Sequence, residues 1–264
     1  MINIERKIQN IFSRIGLTLN RQTSKKLVLK LIRRLHPKKI DKELIRLGPE
    51  KDGGYILPND FKGINACFSP GVDNKYQFEL DCLSIGMKIF LADKSVNPPE
   101  VNNKDFHFLK KYIGPYSDED YITMDDWVNS SNANDKDLLL QMDIEGAEYA
   151  SILNMSSYLL NRFRIIIIEF HGLDRLWDKE FFKFVSPVFD KLLLNHNCVH
   201  IHPNNWGRVS KIKGINIPTL MEFTFLRKDR FEDLGYVGSF PNELDKDNDP
   251  SRESVLLSKV WYRN

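Results

Sequence analysis

The chain has 264 residues, 42% hydrophobic and 28% charged, with a mean hydropathy of -0.39 and a formal charge of +2. That composition supplies a full core for one large domain. It excludes an integral membrane protein, because no apolar run approaches the roughly 18 residues a spanning helix needs.

The N-terminal stretch is charged every few residues, which argues against a secretory signal. Up to Arg46 it carries thirteen basic and three acidic residues, a local +10 that leaves -8 for the remainder. Ile4, Ile8, Ile11, Phe12 and Ile15 recur at helical spacing, and so do Leu27, Val28, Leu31, Ile32 and Leu35. Two basic amphipathic helices are predicted, the second ending near Pro37. We expect residues 1–45 to form a basic helical extension and 46–264 the main domain. The extension either packs on that domain with solvated Lys and Arg, or docks an anionic partner: a membrane face, a phosphorylated substrate or another subunit.

Asp52-Gly53-Gly54-Tyr55 predicts a tight turn entering a short strand. Strands and helices then alternate. Strands are predicted at 65–69, 88–93, 105–112, 138–143, 165–170, 198–202 and 219–226. Helices are predicted at 76–83, from 121 towards 128, at 147–160 and at 181–194. The aliphatic runs Leu138-Leu139-Leu140 and Ile165-Ile166-Ile167-Ile168 read as strands buried on both faces, as in a parallel sheet with crossover helices. Residues 242–251, rich in Asp, Asn and Pro, read as a surface loop. Cys67, Cys82 and Cys198 lack C-x-x-C spacing, so reduced packing thiols in a cytoplasmic protein are expected.

Ligands of open α/β sheets bind beyond the carboxyl ends of the strands. Asp143, Glu145, Glu169 and His171 fall there. The order from Phe68 to Asp93 is strand, Gly71-Val72-Asp73 loop, helix, strand and terminal Asp, a nucleoside-binding signature. Gly71 permits close approach of backbone to ligand, and Asp93 can accept both hydroxyls of a ribose. Asp73 and Glu79 would repel a pyrophosphate but suit a cation, and S-adenosylmethionine has a ribose, a sulfonium and no phosphate. An ordinary turn, with Asp93 as a helix cap, is the plainer alternative.

Asp143-Ile144-Glu145-Gly146-Ala147-Glu148, following one buried strand and preceding another, resembles the FkbM family of S-adenosylmethionine-dependent O-methyltransferases. The resemblance extends in order through Asp52-Gly53-Gly54-Tyr55, Gly71-Val72 to Phe78-Glu79, Asp93, Asp125-Asp126-Trp127, Glu169-Phe170-His171-Gly172, His202-Pro203-Asn204-Asn205 and Glu222-Phe223-Thr224. It implies a Rossmann-like class I methyltransferase sheet, α/β with seven mostly parallel strands and helices on both faces. It also implies a donor lying across the ends of the first two strands, against Ser69, Gly71, Asp73, Glu79, Asp93, Asp125 and Asp143. Phe68-Ser69-Pro70-Gly71-Val72 departs from the family's usual Asp-x-Gly-Ala-x-x-Gly. The Asp-Gly-Gly-Tyr and Glu-Phe-His-Gly features resemble the bacterial branch of surface-polysaccharide loci, implying a nucleotide-linked sugar as acceptor rather than nucleic acid.

An alcohol is a poor nucleophile at neutral pH, so a base or a metal is needed. In one arrangement His171 or His202 is the base and a carboxylate such as Asp143 orients it. In the other, Asp143, Glu169 and His171 bind a divalent ion, Mg²⁺ or Mn²⁺ before Zn²⁺. Asp52, Tyr55, Glu145, Asn204 and Asn205 are the candidate acceptor-binding residues. Structural roles stand beside these: Glu145 taking amide protons at the helix start, Asp125 capping a helix, His202 to Asn205 forming a polar turn. A non-catalytic nucleoside-binding module, or a methyltransferase for a lipid or small metabolite, are the rival readings.

Overall fold

The computed structural model describes residues 9–16, 20–131, 133 and 136–263. Among these, seven strands form one sheet: β1 (Ile64–Pro70), β2 (Lys88–Ala92), β3 (Phe106–Leu109), β4 (Asp137–Met142), β5 (Phe163–His171), β6 (His196–Pro203) and β7 (Leu220–Arg227). The spatial order is β6-β7-β5-β4-β1-β2-β3. Six strands run one way, and β7, between β5 and β6, is antiparallel to both. The helices are α1 (Lys25–Arg34), α2 (Gln77–Ser84), α3 (Met124–Ser130), α4 (Glu148–Asn154), α5 (Ser157–Arg162) and α6 (Lys179–Asn195).

The aliphatic runs are central strands because both of their faces are covered. Leu138, Leu140, Ile166 and Ile168 point into one core with Trp127, Ile152, Val185 and Phe189. Leu139, Ile165 and Ile167 point into the other, with Tyr55, Leu57, Phe78 and Cys82. The same alternation carries Gln141, Glu169 and His171 onto the second face. That face is covered by α2 and by the hairpin of Leu44–Leu47 with Tyr55–Pro58. The three cysteines are free and buried.

In α1, Ser24 accepts from the Leu27 amide as N-cap, and Val28, Leu31 and Ile32 are buried in the first core, followed by Leu35. Residues 9–14 are also helical. Ile4 and Ile8 lie outside the described residues, while Ile11 and Ile15 are exposed rather than packed.

Three expectations are corrected. The single helix at 147–160 is two, because Ser156 adopts an extended conformation and caps α5 through the Leu159 amide. The strand at 105–112 ends at Leu109, and Tyr112–Ile113 pairs with Tyr121–Ile122 instead. The loop at 242–251 is not merely superficial: Asn248 is buried, and the Asp245 side chain is 6% exposed between two histidines. The hairpin of Val209–Ile212 with Ile215–Pro218 has no counterpart in the sequence-based reading.

Candidate active site

Strand order reverses at β1, with β2 and β3 to one side and β4 and β5 to the other. Such a switch point opens a crevice at the carboxyl ends. Here it is a cleft of about 570 Å³ lined by Asp52, Asp73, Asp93, Asp143 and Glu145, with Tyr112 and Tyr121 among the uncharged groups. Among the described residues no Lys or Arg lines it. Asp93 and Asp143 therefore share one crevice.

Gly71 sits where the strand ends meet. Its φ is +83°, and a Cβ there would lie 1.5 Å from the Asp143 carbonyl oxygen. Its amide donates to the Ala92 carbonyl at 3.0 Å, and the Asp143 amide donates to the Pro70 carbonyl at 3.2 Å. The close approach expected between Gly71 and a ligand is, in the protein itself, an approach to the backbone of Asp143. Asp93 holds the turn after β2, its Oδ1 accepting from the Ser95 amide and hydroxyl at 2.7 and 2.6 Å, so it is not a helix cap.

Ser69 and Glu79 lie beneath the cleft. The Ser69 hydroxyl is 2.5 Å from both Glu79 Oε1 and Gln141 Oε1, and Gln141 Nε2 donates to the Tyr55 hydroxyl at 2.9 Å. Burial pushes Glu79 up to about 7, against the opposing hydrogen bond from Ser69. Glu79, Gln141 and Tyr55 line a small adjoining pocket of about 50 Å³ with Asp52, Asp143 and Lys75, whose Nζ lies 3.2 Å from Asp52 and 4.0 Å from Asp73. Asp125, placed on the donor by resemblance, does not line the cleft. It accepts from the Ser156 amide at 2.8 Å and ties α3 to the start of α5.

Behind the cleft residues Asp143 and Glu145, His171, which does not itself line the cleft, meets four carboxylates. Its Nδ1 lies 3.0 Å from Glu148 Oε1, which also accepts from the Ile144 and Gly146 amides. Its Nε2 faces Glu145 at 3.3 Å, Asp143 at 3.8 Å and Glu169 at 3.9 Å. Tyr149 donates to the His171 carbonyl, fixing the backbone as well. Burial works against a charged ring, but the hydrogen bond to Glu148 and the surrounding carboxylates outweigh it and raise the His171 pKa. Burial raises Asp143, opposed by His171 and reinforced by Glu145 and Glu148. Glu169 is held well above the ordinary range by burial and by Asp143 and Glu222. Buried acidic and basic groups shifted together in a cleft are a common mark of function.

Glu148, absent from the sequence-based candidates, does what was considered for Glu145: it binds the amides before the helix. Glu145 instead has a left-handed φ of 56° and an exposed carboxylate. The signal for Glu148 was its place in the first turn of a helix, where a carboxylate can fold back onto the preceding loop.

Asp143, Glu145 and His171 each offer a ligand atom, all within 4.8 Å of one another. Glu169, in the expected metal set, has both oxygens occupied by Asn204 Nδ2 at 3.1 and 3.0 Å. Asn205 is likewise engaged internally, donating to the Asp249 carbonyl and accepting from its amide. His202 does not line the cleft. Its Nδ1 is 3.2 Å from Asp245 Oδ1, which also receives His200 Nε2 at 2.9 Å. Asn248 in the same tail donates to Glu222 at 2.8 Å and Asp52 at 3.3 Å.

The fold is a Rossmann-like α/β sheet with an acidic crevice at its switch point, the arrangement of a methyltransferase-type domain. Residues 73–197 match the family model described as methyltransferase FkbM domain. The match supports a methyltransferase, and a methyltransferase domain implies S-adenosylmethionine as donor. No curated protein matches the sequence. A solved structure described as a riboflavin biosynthesis protein from Shewanella sp. PV-4 is 10% identical, with 65% of this chain and 83% of that chain covered and a TM-score of 0.22. No described helix is long and apolar enough to cross a membrane.

Proposed function

We propose that the protein is an S-adenosylmethionine-dependent O-methyltransferase acting on a sugar hydroxyl, on a nucleotide-linked sugar used in surface-glycan assembly. The supporting observation is that Asp143 and Glu145 belong both to the carboxylate-lined cleft and to the His171 cluster. A donor with a sulfonium and an ammonium matches a lining of five carboxylates, of which Asp52 and Asp73 are already paired with Lys75, while Asp93, Asp143 and Glu145 are not paired with a Lys or Arg among the described residues. Asp93 and Asp143 would hold S-adenosylmethionine there, which would supply an electrophilic methyl group to the acceptor oxygen and leave as S-adenosylhomocysteine. With the His171 pKa raised to about 9, the ring loses its second proton only towards alkaline pH; in that neutral form Glu148 keeps the Nδ1 proton in place and leaves Nε2 to take the hydroxyl proton. The imidazolium so formed is stabilised by the carboxylates that raise the pKa of His171. The nucleotide's phosphates stay outside the acidic cleft.

A second reading rests on the grouping of Asp143, Glu145 and His171. Asp143 Oδ1 is shut off from solvent without a hydrogen-bond partner, which suits a cation ligand. These three residues would hold Mg²⁺ or Mn²⁺, which would acidify the hydroxyl.

Calorimetric titration with S-adenosylhomocysteine tests the donor site, and absence of heat at high micromolar ligand overturns it. Methyl transfer to a panel of nucleotide sugars tests the acceptor class. Full activity in EDTA overturns the metal reading, whereas loss restored by Mg²⁺ or Mn²⁺ replaces the free-imidazole reading.

A further inference from the structure

The segment 20–40 holds eight Lys and Arg and no Asp or Glu, and the segment 206–218 holds three and none. The fold brings the two together. Lys25 Nζ donates to the Lys213 carbonyl at 2.9 Å, and Lys213 Nζ reaches the Thr23 carbonyl at 3.4 Å. Lys26, Lys30, Arg33, Arg208 and Lys211 are exposed, and no described carboxylate pairs with them.

The arrangement is not one that folding requires. Lys25 and Lys26 occupy the first turn of α1, where the helix dipole is positive, and no acidic residue offsets them. Exposed apolar side chains accompany the cations: Leu27 is 46% exposed on α1 and Val209 43% on the hairpin, while Trp206, 50% exposed just before the hairpin, carries Arg252 stacked on its ring at 3.9 Å. A phosphodiester chain gains little from exposed aliphatics. A bilayer interface takes aliphatic and indole side chains at its acyl boundary while Lys and Arg meet anionic headgroups.

We propose that α1 and the Val209–Pro218 hairpin form a face that docks the protein on an anionic lipid bilayer. The attachment is peripheral and salt-sensitive, and it does not depend on methyl transfer.

The test is co-sedimentation of the full chain with phosphatidylglycerol/phosphatidylcholine vesicles and with phosphatidylcholine vesicles. It is run at about 0.1 M salt, where the Debye length is ~10 Å, and again at higher salt. Binding to the anionic vesicles alone, weakened by salt, is expected. The triple substitution Lys26→Glu, Lys30→Glu, Lys211→Glu should weaken it about a hundredfold. Neutral Gln at the same positions should give an intermediate loss, and matching circular dichroism and melting would show both variants to be folded. Equal binding to neutral vesicles, no pelleting with either, or undiminished binding by the folded variants overturns the proposal. So does tight binding to duplex DNA without vesicle binding.

Discussion

The two halves of the strand-end surface are built on different principles. At β1 and β2 the crevice is open, and Asp73 and Glu145 are exposed, their side chains 65% and 88% accessible. At β5, β7 and β6 the polar groups are buried and engaged with one another: Glu169 with Asn204, Glu222 with Asn248, His202 and His200 with Asp245. Burial raises Glu222, with His202 and Asn248 opposing. Burial also works to raise Asp245, but its two histidines hold it below the ordinary range. Asp73 and Glu145 can change partners at little cost, because they are solvated. The closed half cannot, since removing one member strands another in a low-dielectric interior. On the proposed function, the difference would separate a part that admits and releases a ligand from one that holds polar groups in fixed positions.

The strongest way to break this division is at the junction. Gly71→Ala forces a Cβ onto the Asp143 carbonyl at a φ that only glycine adopts freely. It should cost about 4 kcal/mol or more in stability and abolish S-adenosylhomocysteine binding. Denaturant unfolding and calorimetry check this, and near-normal values for both would contradict the packing described.

Glu148→Gln probes the closed half. The side chain keeps its size but loses the charge that holds His171. Turnover should fall about a thousandfold with the acceptor's KM little changed. The His171 pKa should drop, so whatever activity remains should rise at lower pH than in the parent. A uniform loss with an unshifted pH profile would give Glu148 a merely structural role.

A smaller effect sharpens the contrast beneath the open half. Glu79, pushed from 4.5 to about 7, remains protonated in the folded chain where the unfolded chain has ionised. Its contribution to stability therefore falls as pH rises from about 4.5 to about 7, and the deficit persists above. Glu79→Gln, which can still accept from Ser69, should stabilise the protein by about 2 kcal/mol at pH 8 and by almost nothing at pH 4. Parallel pH–stability curves for the two proteins would show that Glu79 is not held neutral.

Much of the sheet was legible because buried parallel strands leave aliphatic runs. Leu138–Leu140 and Ile165–Ile168 announce β4 and β5, and the carboxylates after them mark the strand ends. The partners of those ends were less visible. Asp143 and His171 were readable as candidates, whereas Glu148 is selected by how the loop folds back. Asp245 and Asn248 come from a tail whose composition is that of a solvated loop, and only tertiary contacts make them interior. The break at Ser156 shows the same limit: periodicity runs through it, and a cap held by Asp125 overrides the pattern.

The antiparallel strand has a further consequence. In the register of β7, Glu222 lies opposite Glu169 on one side and His202 on the other. Side chains along a strand alternate, so a slip of one position would turn Glu222 away and present Met221 or Phe223 to its neighbours. Alignment of the polar row is thus inherited from sheet pairing itself, and a single inserted residue within 220–227 would scramble three strands' worth of chemistry at once.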